Sequence, residues 1–357
     1  MSALRIIMLL ILPFYTIVFP GQDERPLIAV LDFKATRMDV FDPSDGGNAT
    51  VIEAIHLKGG RGGGSAGIDF NYRRNMIYWT DLFTRDVYSL KAGGGNDQEQ
   101  KVILEGDLGS PEGLAYDWIH NNLYVSDWEL HKILVINTET GARKTLITDV
   151  HRVRDVEVDP RTGWLYWISG WEDTALLMKS ALDGQNQMVI SSDLERPMSL
   201  SLDYDEQKLY WTEVYPVNLI KSIRVNGEDL TIVHRPGRHY HFSPKYITVS
   251  RDYIYWTQGL RFRVLGREKN NSREVIRYRN LEKYGRWDIQ KNIFMGILAI
   301  DARKQTESPS LCGDNNGGCS HFCLPTLIQS TPPYNCACPD GMNLIDDNST
   351  CSKEIEI

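Results

Sequence analysis

A pair of aromatic residues returns along this chain at a spacing that few architectures accept. Tyr78-Trp79-Thr80-Asp81 is followed by Tyr124-Val125-Ser126-Asp127, Tyr166-Trp167-Ile168-Ser169, Tyr210-Trp211-Thr212-Glu213 and Tyr255-Trp256-Thr257-Gln258. The steps are 46, 42, 44 and 45 residues, the period of a four-stranded propeller blade. A second element recurs in phase, an alternating apolar stretch that usually closes on Asp. Its copies are Ala66–Asp69, Gly113–Asp117, Asp155–Asp159, Ser199–Asp203, Tyr246–Val249 and Leu298–Asp301, and the copy at Val249 lacks the acid.

One unit shows how the strands divide. Asp155–Val158 alternates apolar and polar residues, and Asp159-Pro160-Arg161-Thr162-Gly163 turns the chain. Trp164–Ile168 is the aromatic strand and Ala175–Ala181 a third; Asp183-Gly184 then makes a hairpin into Gln187–Ile190. Asn226-Gly227 repeats that hairpin one unit later. No stretch carries the period of a long amphipathic helix, so a parallel α/β fold is excluded. A plainer copy of the aromatic strand fits Leu27–Phe33 and has no partner before it, while Ile297–Asp301 has no blade after it. The two ends therefore complete one blade, closure removes the exposed sheet edges, and the expected fold is all-β, a six-bladed propeller over residues 26–302. Neighbouring side chains on a strand face opposite ways, so Tyr and Trp should fill the two gaps flanking a blade. Thr, Ser and Asp at the strand ends should bond backbone groups where the ladder stops.

Residues 1–21 place Arg5 before an apolar run, with polar sequence from Gln22, the pattern of a secretory signal. All six cysteines lie between 312 and 351, consistent with an oxidising destination. Three N-x-S/T sequons, at Asn48, Asn270 and Asn348, fit glycosylation of an exported chain. The expectation is a secreted, extracellular protein without a membrane span. The formal charge of −8 and pI near 5.6 argue against a general nucleic-acid binder.

The cysteines read Cys312-x6-Cys319-x3-Cys323-x12-Cys336-x-Cys338-x12-Cys351. Spacing alone allows fifteen pairings, and a segment this small needs staples in place of a core. Zinc ligation fits poorly, because one close Cys-x-Cys and a loose remainder do not make a tetrahedral finger.

A YWTD-type repeat in a six-bladed ring, followed by a six-cysteine module, resembles the propeller and epidermal-growth-factor-like pair of the LDL-receptor family, over about residues 26–352. Cys312-Gly-Asp-Asn-Asn-Gly-Gly-Cys319-Ser-His-Phe-Cys323 is similar to the matching stretch of LDL-receptor-related proteins. The resemblance implies a module at 311–352 with a short tail at 353–357, and pairs Cys312–Cys323, Cys319–Cys336 and Cys338–Cys351. It implies binding of an extracellular protein ligand through one propeller face, with a structural matrix role of the nidogen kind as the alternative. The chain contains no acidic cysteine-rich ligand repeats, and Glu307-Ser308-Pro309-Ser310-Leu311 lacks the acidic pattern of calcium-binding members. In the Wnt co-receptors of this family one face holds an Asn-containing loop. The positions that match that face in type are Ser110, Glu112, Glu129 and Arg154. Arg85 stands where the family has an acid, and Met198 where it has Asn.

Residues 261–291 hold ten Lys or Arg against four acids. Arg261, Arg263, Arg267, Lys269, Arg273, Arg277 and Arg279 are a candidate patch for a sulfated glycan or acidic matrix; a solvated blade is the plainer reading. His234, His239 and His241 share one loop and could hold a metal or sense pH, although chance histidines explain them as well. The glycines from Gly59 to Gly67 lack a Lys-Ser/Thr at phosphate-loop spacing and read as a flexible connection. A propeller hydrolase would gather carboxylates and amides on the channel to hold a metal. No such set recurs at channel positions, and HExxH is absent. The expectation is a binding protein without catalytic residues, metal or cofactor.

Overall fold

The structure is a computed structural model that describes residues 26–32, 36–44, 51–58, 64–92, 99–236, 239, 243–258, 263–271, 276–278 and 294–353. Six four-stranded antiparallel sheets surround one axis, and two short hairpins form the cysteine module. In five blades the strands follow chain order from axis to rim, with inner strands Ser65–Asn71, Pro111–Asp117, Asp155–Asp159, Pro197–Asp203 and Pro244–Val249. The sixth blade takes its inner strand, Phe294–Ile300, from the end of the propeller sequence. Its other three, Leu27–Asp32, Arg37–Phe41 and Val51–His56, come from the beginning. Ile297 pairs with Val30 and Leu298 with Ala29 across that seam, which is the closure the repeat count predicts.

The aromatic pair divides its two side chains between neighbouring gaps. Trp79 packs with Ala29, Met38, Phe70 and Leu298, whereas Tyr78 packs with Leu114, Tyr116 and Leu134. Trp167 and Tyr166 split in the same way, as do Trp211 and Tyr210 and Trp256 and Tyr255. All four of these tryptophans are at most 1% exposed.

The motif's polar residues explain the upper end of each blade, where the inner strands begin. Inner strands carry a register shift there, between Ser65 and Ile68 and between Pro111 and Gly113. A bulge leaves a backbone N–H without its ladder partner. Gly67 N donates instead to Thr80 Oγ1 and Gly113 N to Ser126 Oγ, both at 2.8 Å. The motif's acid ties the next turn: Asp81 accepts from Phe83 N and Thr84 N, and Asp127 from Gly109 N, Ser110 N and Leu130 N. At the lower end Asp117, Asp203 and Asp301 accept backbone N–H groups of the following turn.

Two readings of the sequence change. The first inner strand runs two residues past Asp69, and Asn71 takes the turn-capping place, accepting from Arg74 N. Gly67, at the end of the glycine run, is a packed strand residue. A Cβ there would sit 2.9 Å from both Glu112 O and Leu114 N of the next blade, so only glycine lets the inner strands approach this closely. Residues 59–63 of that run lie outside the described residues.

After the last inner strand the chain crosses beneath the axis as a strap. Gln305 accepts from Tyr72 N at 2.8 Å and donates to Phe70 O at 2.5 Å, and Trp118 Nε1 donates to Thr306 O at 2.9 Å. The module then docks under the second and third blades. Phe322 and Leu324 join the apolar cluster of Ile147, Val158, Leu165 and Trp167, Asp340 accepts from Thr145 N, and Asn335 Nδ2 donates to Asp183 at 2.8 Å. Disulfides join Cys312 to Cys323, Cys319 to Cys336 and Cys338 to Cys351.

Replacing Trp167 or Trp211 by alanine empties an inter-blade gap and should lower the unfolding free energy by about 3–5 kcal/mol. Urea or guanidinium unfolding measures it. Unchanged midpoints in both variants would mean that these indoles do not hold neighbouring blades together.

Candidate functional site: the upper face and the axis below it

The upper face is built from loops, and the backbone there is unusual. Arg85, His131, Arg152 and Glu172 all have left-handed φ, between 52° and 64°. On the lower face the same conformation is held mainly by residues that adopt it cheaply, such as Asn75, Asn121, Gly163 and Gly184. A non-Gly side chain costs roughly 1–2 kcal/mol there, so charged residues in these places are retained against local backbone preference.

Of the four residues the resemblance points to, all reach this face. Arg154 Nη1 donates to Glu112 Oε2 at 2.8 Å, and both groups are half-buried at the mouth of the axis. Burial raises the Glu112 carboxyl above its ordinary range, against the opposing pull of Arg154. Glu129 is exposed, 4.0 Å from Arg85, and its Cβ lies close against Gly109, next to Ser110. Arg85 and Glu129 thus pair across two turns, so the charge reversal at 85 is answered within the chain. Met198 lines the mouth of the channel.

Sequence reasoning missed the residues that surround Arg154. Its guanidinium lies between two indoles, 5.3 Å from the ring centre of Trp128 and 5.4 Å from that of Trp171. Arg152 covers Trp128 at 5.7 Å and Arg196 covers Trp171 at 5.3 Å. Arg196 is ion-paired with Glu172. The result is an alternating ladder, Arg152–Trp128–Arg154–Trp171–Arg196, drawn from the top loops of the second, third and fourth blades. Phe83, Leu130 and Tyr215 stand exposed on neighbouring turns of the same face, at 58, 47 and 44%.

Below the mouth lies an axial cavity of about 50 Å³, closed from beneath by the strap. That volume suits a few waters. Three carboxyls, Asp69, Asp155 and Glu157, line it. They come from only two blades at unequal heights, so no repeat reveals them. Asp155 accepts from Ser199 Oγ at 3.0 Å and Leu200 N at 2.8 Å; Asp69 accepts from Tyr116 N at 2.7 Å; Glu157 bonds the Leu202 backbone. Burial pushes Asp69 up to about 6, Asp155 to about 7 and Glu157 to about 8, with Lys304 of the strap opposing it at Asp69 and Glu157. Among the described residues no three His, Cys, Asp or Glu come together as a set able to hold a metal.

Of the candidate basic patch the side chains of Arg263, Arg267 and Lys269 are described, and two of them turn inward. Arg267 is buried, donating to Asn271 O at 3.1 Å and to Val233 O. Lys269 pairs with buried Asp203. Arg263 is half-buried. Arg261, Arg273 and Arg279, and the side chain of Arg277, lie outside the described residues, as do Asn48 and His241. His234 packs at a tilt against Trp256, and burial lowers its imidazole to about 4.

Fold and face together define a six-bladed YWTD propeller with a disulfide-stapled module. The family model for low-density lipoprotein receptor repeat class B matches residues 75–118, and that for the coagulation factor Xa inhibitory site matches 312–351. The chain therefore carries an LDL-receptor class B repeat within its six-bladed propeller. The vitellogenin receptor Yl of Drosophila melanogaster is 27% identical over 283 residues, which are 78% of this chain and 13% of that protein. Among solved structures, a chain of a nidogen/laminin complex matches with a TM-score of 0.63 at 21% identity, covering 76% of this chain and 97% of that one. A calcium-binding regucalcin from Agrobacterium tumefaciens matches with a TM-score of 0.50 at 13% identity, covering 60% of this chain and 73% of its own. At those identities the two structures speak for the propeller fold. Among the described residues no helix is long and apolar enough to cross a membrane.

The buried carboxyls give the propeller a pH dependence of definite sign. Their folded values lie above the ordinary 3.8 and 4.5, so between about pH 8 and 5 the folded chain takes up protons at three carboxyls, against the single proton that buried His234 refuses. Stability then rises as pH falls. The melting temperature should increase from pH 8 to pH 5, and Glu157→Gln should flatten that slope and raise the melting temperature at pH 8. Calorimetry at the two pH values tests this; a wild-type melting temperature that falls with pH would contradict it.

Proposed function

We propose that the chain is a non-catalytic recognition module of an extracellular protein and that its upper face binds another extracellular protein. The observation that carries this is the difference between the two faces. The lower one is occupied by the strap and the docked module. The upper one presents stacked indoles, paired charges and exposed Phe83, Leu130 and Tyr215 on left-handed turns. Aromatic and Arg anchors with a polar rim are what protein interfaces select. In this reading Ser110, Glu112, Glu129 and Arg154 lie within the interface, residues 1–21 direct export, and 26–302 and 311–352 act as one rigid recognition unit. Asn270 and Asn348, both exposed, would carry glycans, Asn348 on the module.

Export into an oxidising space fits three disulfides and no free cysteine among the described residues. A structural matrix role is the second reading, favoured by the likeness to the nidogen/laminin complex chain. Binding, rather than hydrolysis, fits an axis whose carboxyls are already spent on the backbone of neighbouring strands. The chain spans 13% of the length of the vitellogenin receptor it matches, so that receptor's ligand is not assigned to it.

The test is capture from extracellular-matrix extract by the immobilised chain, with purified laminin as a named candidate. Proteins retained by the wild type should be lost by Trp128→Ala/Trp171→Ala and kept by Ile328→Ser, which alters the module instead. Equal retention by all three removes the upper face from the reading. Hydrolytic activity abolished by calcium chelation would replace it with an enzyme.

A further inference from the structure

The indole–guanidinium ladder fixes the chemistry of what the upper face can hold. Three guanidiniums share two carboxylates: Glu112 on Arg154 and Glu172 on Arg196. Arg152 makes no ion pair among the described residues, so the ladder carries a net positive charge. Its backbone is held in the left-handed region at φ 52°, where its N–H donates to His131 Nδ1 at 3.2 Å. That placement aims an exposed guanidinium over Trp128 at the cost of local strain.

Donors also exceed acceptors. Trp128 Nε1 and Arg154 Nε are buried and have no hydrogen-bond partner among the described residues. Each guanidinium offers five N–H donors and no acceptor, and Trp adds one more donor. Stacking on an indole restricts the guanidinium and partly desolvates it while leaving its N–H edge free. An edge of that kind matches the two oxygens of a carboxylate in a fork, and a low-dielectric aromatic wall strengthens the pairing. An amide ligand would supply one acceptor oxygen per side chain and no negative charge to answer Arg152.

We propose that the face recognises an acidic segment of its protein partner, with Asp or Glu side chains seated along Arg152, Arg154 and Arg196 and apolar neighbours against Trp128, Trp171 and Leu130. This rests on the upper face being the binding face and names the partner's chemistry. It differs from what the resemblance implies, an Asn-bearing loop. Arg85 and Met198 depart from that pattern at the same face.

Fluorescence anisotropy of a labelled oligo-aspartate peptide against the intact chain at low salt provides the measurement, with an oligo-asparagine peptide of equal length as its uncharged isostere. The acidic peptide should bind at least about tenfold more tightly, weaken steeply with added salt, and lose its preference in an Arg152→Gln/Arg196→Gln variant whose melting temperature is unchanged. Equal affinity for the two peptides, or a preference that the double variant keeps, overturns the acidic partner. Heparin fragments that bind and are lost in the double variant, with oligo-aspartate failing to bind, overturn it also and make the face a glycan site. The broader reading fails on a different readout. If Trp128→Ala/Trp171→Ala leaves protein capture intact, the face is not used, whatever the peptides do.

Discussion

Ring closure imposes a problem that the rest of the molecule answers. Each blade is satisfied along its strands, but its inner strand has a second edge with no ladder partner, turned towards the axis. Burying those N–H groups unpaired would cost about 1–3 kcal/mol each. The solution is lateral. Asp69 takes the Tyr116 N–H of the next blade, Asp155 that of Leu200, Ser199 that of Ile247, Ser201 that of Val249 and Thr248 that of Ala299. A ring of side-chain acceptors therefore replaces the missing strand, and glycines at 67 and 113 let the inner strands approach closely enough for it to form. This is why carboxyls lie on the axis. They are acceptors of backbone hydrogen bonds that happen also to titrate.

How much of this could be read from the sequence depended on whether a feature repeats. The Tyr–Trp alternation, the Thr or Ser beside the bulge and the turn-capping Asp recur in most blades, because each blade meets the same geometric need. They were legible for that reason. Asp69 was misplaced because the first inner strand ends on Asn71, which caps its turn as Asp does elsewhere, so an acid two residues earlier looked like the strand end. The channel carboxyls were not legible at all. Their inward direction depends on strand register, and only the first and third blades supply them.

The ladder shows the opposite limit. Trp128, Arg152, Trp171 and Arg196 lie in four loops, and Arg154 immediately precedes an inner strand. No spacing links them, since they meet only when three blades are set side by side. Composition is an incomplete guide at Arg267 and Lys269 as well. A run of cations suggests a surface, yet Arg267 and Lys269 are turned inward to carbonyls and to Asp203. Local charge density in a sequence predicts a field only when the side chains end in solvent, and strand alternation next to a rim of aromatic residues sends some of them inside.

Arg154 is the residue through which scaffold and face meet. Its carbonyl accepts the hydroxyl of Ser126, the second blade's copy of the motif threonine, at 3.2 Å. Its side chain crosses from that anchored backbone to Glu112 at the channel mouth and continues between the two indoles. The same hydroxyl that accepts the bulge N–H of one blade therefore donates to the backbone that sets the height of the guanidinium on the next. Glu112 in turn separates the cationic ladder above from the acidic axis below, where Asp155 is raised in part by its presence. Removing the ion pair would leave Arg154 without its counter-charge and bring that axis closer to any ligand on the face. The pair works as a divider, letting acceptors needed for closure and donors needed for recognition occupy adjacent levels of one narrow ring.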